Sequence, residues 1–131
     1  MSRRKARLTA VQYLYAKDFG NSDKPGEFIE YVESPKKNDD KEFAEMLIKG
    51  TMNNIETIDK LIATYAKHGD DIITAVDKNI LRVGIYELLN IKDTPYPVVI
   101  NEYVEIAKEL SKDNSKSFIN AVLDKIKTEK L

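Results

Sequence analysis

Between Lys41 and Lys67, the residues Phe43, Leu47, Ile48, Met52, Ile55, Ile58, Ile62 and Tyr65 return every three or four positions, the period of an α-helix with one buried face. The same rhythm recurs on both sides. Ala6, Ala10, Tyr13 and Leu14, widened by Val11, predict a helix over 4–19 that Gly20 ends. A turn cluster follows at 21–26, and Phe28, Ile29 and Val32 predict a short helix stopped by Ser34 and Pro35. Whether 41–67 is one long helix or two joined near Asn53 and Asn54 stays open on periodicity alone.

Beyond the break at 67–71, Thr74 with Asp77 three residues on fits a capping box. Ile80, Leu81, Gly84, Ile85, Leu88 and Leu89 then predict a central helix, with Gly84 letting a neighbour approach closely. The connector from Asp93 to Pro97 is stiffened by two prolines, and Pro97 suits the first turn of the next helix. That helix carries Ile100, Val104, Ala107 and Leu110. The last, capped from Asn114 or Ser115, carries Phe118, Ile119, Val122, Leu123 and Ile126. With 131 residues, only five Gly and four Pro, the expected fold is all-α: one compact domain over 1–131, a bundle of about six or seven helices.

Several function classes fall away. The chain has no cysteine, so no disulfide framework and no Cys-ligated metal site is expected. It also lacks a signal-peptide pattern and any apolar stretch near membrane-spanning length, which predicts a cytoplasmic protein with no membrane partner. Glycine-rich phosphate loops and H-E-x-x-H are missing too. The single histidine, His68, stands beside Asp70 and Asp71, where a solvated loop competes with a metal site and is the reading preferred here. Other carboxylates alternate with lysines, as in Glu105, Lys108, Glu109 and Lys112, the spacing of surface pairs. No catalytic residue, cofactor or metal is expected, and the protein is not read as an enzyme.

Net charge is −1, yet it is unevenly spread. Arg3, Arg4, Lys5, Arg7 and Lys17 lie within the first 17 residues without an acid, leaving 16 basic residues against all 22 acidic ones elsewhere. Cations at a helix start oppose the macrodipole by a few tenths of a kcal/mol each, roughly. Such a cluster points to an external anion, and helix-start amides with arginines suit phosphates. A solubilising tail is the plain alternative. Asn101 and Asn120, inside apolar stripes, read as buried hydrogen bonders.

Four strings, RRKARLTAVQYLY (3–15), DKNILRVGIYELL (77–89), PYPVVINEYVEIAKEL (95–110) and NSKSFINAVLDKI (114–126), stand in an order that closely resembles the NusB family. The resemblance covers nearly the whole chain and is weakest over 20–56. It implies a non-catalytic all-helical factor that pairs with a small-subunit ribosomal protein, called NusE in its transcription role. It further implies binding of boxA, a short single-stranded RNA in ribosomal-RNA leader transcripts, within an RNA polymerase antitermination complex. By position, Arg3, Arg4, Lys5 and Arg7 would meet RNA phosphates, which predicts a log-log salt slope of roughly −3 for four of them. Gln12 would read a base edge, and Tyr15 would stack on a base or pack in the core. Asn114, Ser115, Lys116 and Phe118 would form a second contact; Asp is common in relatives at position 114, so Asn there removes a negative charge. Tyr65, Asp77, Arg82 and Glu87 would contribute to the NusE surface, with Arg82 and Glu87 alternatively an internal pair. Two other readings remain. The same fold serves as the RNA-binding domain of ribosomal-RNA cytosine methyltransferases, whose cysteines and cofactor turn this sequence lacks, and a protein-only adaptor would ignore RNA.

Overall fold

In a computed structural model, residues 2–32, 38–66, 73–112 and 114–131 are described. Among them there are seven helices and no strand: α1 (Ser2–Asp18), α2 (Pro25–Tyr31), α3 (Asn38–Asn53), α4 (Ile55–Tyr65), α5 (Ala75–Asn90), α6 (Tyr96–Leu110) and α7 (Ser115–Lys130). Local chemistry sets several boundaries. After α1, Gly20 takes φ 101°, the Asn21 amide donates to the Ala16 carbonyl and the Gly20 amide to that of Lys17. That is a Schellman cap, whose left-handed residue glycine adopts without a Cβ penalty. At the start of α2, Pro25 supplies a preset φ and the Glu27 carboxylate accepts from the Lys24 amide at 2.9 Å.

The long periodic segment proves to be two helices. At Asn54 the backbone leaves helical geometry (φ −116°, ψ 18°), and its side-chain amide donates to the Gly50 carbonyl at 2.8 Å. Thr74 caps α5 by accepting from the Asp77 amide at 3.2 Å. Asp77 does not close the box. Its carboxylate accepts instead from Ser111 Oγ (2.7 Å) and Ser115 Oγ (2.9 Å), tying α5 to the junction between α6 and α7.

Helix α5 is central, packing against α1, α3, α4, α6 and α7. A Cβ at Gly84 would lie 3.2 Å from Tyr103 and 3.3 Å from Leu123, so this residue does allow α6 and α7 to approach. Gly50 plays a similar part that periodicity did not reveal: a Cβ there would run into the Tyr86 ring. Leu47, Ile48, Ile80, Leu81, Ile85, Tyr103, Ile119 and Leu123 lie in the core, each apolar side chain contributing ~1.5–3 kcal/mol by leaving water. The α6 stripe is set by Val99, Ile100, Tyr103, Ile106 and Ala107, with Val104 and Leu110 at its margin. Asn101 and Asn120 are exposed rather than buried; among the described residues the buried asparagine is Asn79, which donates to Asp18 and to the Ala75 carbonyl. Among the described residues no helix is long and apolar enough to cross a membrane.

Candidate nucleic-acid interface

The basic start of α1 divides into an exposed and a buried part. Arg3 and Lys5 are exposed, with the Arg3 guanidinium 4.0 Å from the centre of the Phe43 ring. Arg4 makes a two-pronged bond to Glu102 of α6 (3.0 and 2.8 Å) and still leaves 45% of its side chain in water. Glu102 is correspondingly held below the ordinary value of 4.5, first by the Arg4 hydrogen bond, with the charges of Arg4 and Arg7 adding to it against the effect of burial.

Arg7 is turned inward. Its side chain is 4% exposed and grips the fully buried Glu87 of α5 with two bonds of 2.7 Å, while the Tyr103 hydroxyl donates to the same carboxylate at 2.7 Å. Burial works against the Arg7 charge, but the Glu87 hydrogen bond and charge outweigh it and raise its pKa. Burial, then the neighbouring Glu87, drives the Tyr103 phenol well above 10. The expectation that Arg7 meets phosphate is therefore corrected. Its fork is used up by a carboxylate in the core, and a desolvated ion pair of this kind is costly to open. The dipole cost of the basic cluster is likewise met in part from inside, by Glu87 and Glu102, rather than by an outside anion alone.

Further along α1, Gln12 is half-buried and Tyr15 is 39% exposed, so Tyr15 lies outside the core and packs its ring on Phe19. At the start of α7, Asn114 and Lys116 are exposed and Phe118 is half-buried. Ser115 is not available as expected; it is buried and spends its hydroxyl on Asp77. Asn114, Lys112 and Phe118 edge a cleft of about 930 Å³ that also touches Thr74 and Leu110.

The two halves of the expected site are not adjacent around Arg7. Arg7 reaches α5 at Glu87, whereas Ser115 reaches it at Asp77, ten residues away or about 15 Å along the axis. Asp18, at the other end of α1, bonds Asn79 and Arg82. The C-terminal end of α1, at Asp18, is thus the part nearest the level of Ser115 along α5, with α6 touching both α1 and α7.

Three residues expected on a partner surface are internal. Glu87 is in the core, Asp77 holds two serines, and Arg82 is buried with a two-pronged bond to Asp59 (2.9 and 2.9 Å) and a contact with Asp18 at 3.2 Å. The cause is the position of α5, which has neighbours on every side. Arg82 and Glu87 do not pair with one another either. Of the four, Tyr65 alone is more than marginally accessible, half-buried at the end of α4. No group of three or more His, Asp or Glu is arranged for a metal among the described residues. His68, Asp70 and Asp71 lie outside them.

The sequence from 4 to 128 matches the model of the NusB family. The chain belongs to the NusB family. A transcription antitermination protein NusB from Thermodesulfovibrio yellowstonii is 41% identical over 100% of this chain and 95% of its own length. The solved NusB of T. maritima superposes with a TM-score of 0.86 at 34% identity, over 98% of this chain and 92% of its own. A crystal structure of the antitermination factors NusB and NusE in complex with dsRNA gives 0.83 at 32% identity, over 98% and 97%. NusB proteins are antitermination factors without a catalytic step, and the all-helical bundle is the NusB fold.

Proposed function

We propose that this NusB-family chain pairs with a small-subunit ribosomal protein of the NusE type and binds single-stranded boxA-type RNA of ribosomal leaders. It would do so in the cytoplasm, within an RNA polymerase antitermination complex. The observation that carries this reading is the full-length likeness to a NusB solved with NusE and dsRNA, joined to the exposed cations of α1 in this chain; the preference for an unpaired strand rests on the resemblance to the family and on the accessible ring of Tyr15.

The RNA contact on this reading runs from Arg3, Arg4 and Lys5 to Gln12 and Tyr15, with Asn114, Lys116 and Phe118 as its second part. The cations bind phosphate without regard to sequence, and an accessible ring beside an amide suits unpaired bases, whose faces a duplex hides. Glu102 holds Arg4 in a fixed direction through Nε and Nη2 while 45% of the Arg4 side chain stays exposed. Arg7, Asp77, Arg82, Glu87 and Ser115 support these surfaces from beneath. Tyr65 remains the candidate for direct contact with the ribosomal protein.

Titration of a boxA-containing leader RNA, with and without the ribosomal protein, followed by crosslinking, tests the reading. Crosslinks to 3–15 and 114–118 are expected. A protein-only adaptor would show no RNA dependence in either titration. Asn114→Asp should weaken RNA binding by restoring a carboxylate at an exposed edge, and equal affinity would remove Asn114 from the contact.

A further inference from the structure

Helix α1 is not alone in bringing cations to its end of the bundle. Arg7 meets Glu87 in the last turn of α5 and Arg4 meets Glu102 in the first half of α6, so α1 begins where α5 ends and α6 begins. Helix α7 ends there too: the Lys127 ammonium lies 4.2 Å from the centre of the Tyr96 ring, while Ser115 holds Asp77 at the far end of α5. Lysines in the last turn of a helix are favoured by the macrodipole and by themselves say nothing of a ligand. Lys127 goes further. With Asp124 one turn before it, its ammonium still lies over a ring, and among the described residues Arg3, Lys5, Lys127 and Lys130 have no carboxylate partner. Glu129, two residues from Lys127, does not share its side of α7.

Between the two groups of cations runs the start of α6. Residues 95–101 contain no acid, and Tyr96, Pro97 and Val98 are exposed. About 9 Å along α6 separates Tyr96 from Glu102, where Arg4 is anchored. On the other flank of α1 the charge is opposite, since Arg3 lies over Phe43 of α3, beside which Asp39 and Glu42 face water. A phosphate chain leaving the α1 cations is repelled on that side and attracted on the other.

We propose that Lys127 and Lys130 form a second phosphate-binding patch, with Tyr96 as a positioning residue for Lys127, that takes RNA running on from the α1 cations across the start of α6. The inference rests on the RNA-binding reading above, in which the boxA-type segment runs from those cations toward Gln12 and Tyr15. The start of α6 lies beyond their other side, so its occupant is the leader RNA that flanks the segment. The Tyr96 ring holds the ammonium in place, which removes part of the side-chain freedom a lysine gives up on binding. Lysine contacts of this kind go to the backbone and are indifferent to sequence.

Full-length protein with the NusE-type partner is titrated with a short boxA-type single strand and with the same strand extended by flanking leader sequence at either end. In the wild type one extension should steepen the log-log salt slope by about 0.7 × 2, or 1.4, so that its affinity advantage shrinks about sevenfold between 50 and 200 mM salt. Lys127→Gln/Lys130→Gln should abolish that advantage, leave the short strand's affinity and slope unchanged, and melt close to wild type. The exposed-lysine control Lys49→Gln/Lys60→Gln, on α3 and α4, should keep it. Tyr96→Phe should behave as wild type, whereas Tyr96→Leu should lose part of the advantage. Equal slopes for the short and extended strands in the wild type would overturn the proposal and leave the RNA reading intact. So would an advantage that survives the Lys127/Lys130 substitution or that the control removes equally. Failure of the wild type to bind even the short strand would remove both.

Discussion

At the scale of single residues, the opening cations have different tasks although they are neighbours in sequence. Arg7 belongs to the core, where Glu87 is held by Arg7 on one side and Tyr103 on the other. Arg7→Ala leaves that buried carboxylate without a counter-charge and should cost about 3–5 kcal/mol in urea unfolding. Arg3→Ala removes only a ring contact and should cost under about 1 kcal/mol. Equal costs for the two would contradict this division. Glu102 adds a pH dependence. Its folded pKa is depressed, so its contribution is present above the ordinary value of 4.5 and is lost as pH falls through the lower folded value. Melting temperature should therefore drop on acidification, and Arg4→Gln should flatten that part of the profile. The inward turn of Arg7 was legible in principle. Ala10, Val11 and Leu14, three, four and seven residues on, are all buried, so Arg7 stands in phase with the apolar stripe. Glu87 and Glu102 stand in phase with theirs. Charged residues in such positions become each other's partners, but which partner each takes, across 80 or 95 positions of chain, no local pattern tells.

At the scale of helices, the starts and stops marked by Gly20, Thr74 and Pro97 agree with their chemistry, because a cap or a proline acts through bonds a few residues long. The division between α3 and α4 near Asn53 and Asn54 was one of two readings the sequence left open, since the apolar rhythm continues through it. The break itself is at Asn54, whose backbone leaves helical geometry and whose side-chain amide donates to the Gly50 carbonyl; at Gly50, α3 approaches α5 so closely that the Tyr86 ring occupies the place of a side chain. Gly50→Ala gains up to ~1 kcal/mol of helix propensity, yet must push that ring aside, at a typical overpacking cost of ~1–3 kcal/mol. Net destabilisation is expected in the single variant. In the Gly50→Ala/Tyr86→Ala double variant the two effects should be strongly non-additive in a double-mutant cycle. Additive costs would mean that the ring moves freely.

At the scale of the whole molecule, a central α5 explains why the expected partner residues are mostly internal. A helix with five neighbours presents little surface, so Asp77, Arg82 and Glu87 act by fixing the helices around them. On the proposed reading, recognition falls to outer elements, the exposed side of α1 and the start of α7. Family membership was legible from four strings in order, whereas the split of the basic cluster into core and surface needed the assembled bundle. With Arg7 withdrawn, three cations face solvent at the start of α1, and the salt slope for single-stranded RNA should be about −2 rather than −3. The decisive measurement is that slope for wild type and for Arg3→Ala/Lys5→Ala. The double variant should move it to roughly −0.7, with one phosphate contact left, and should melt close to wild type. A slope unchanged by the double substitution would place the RNA elsewhere on the bundle.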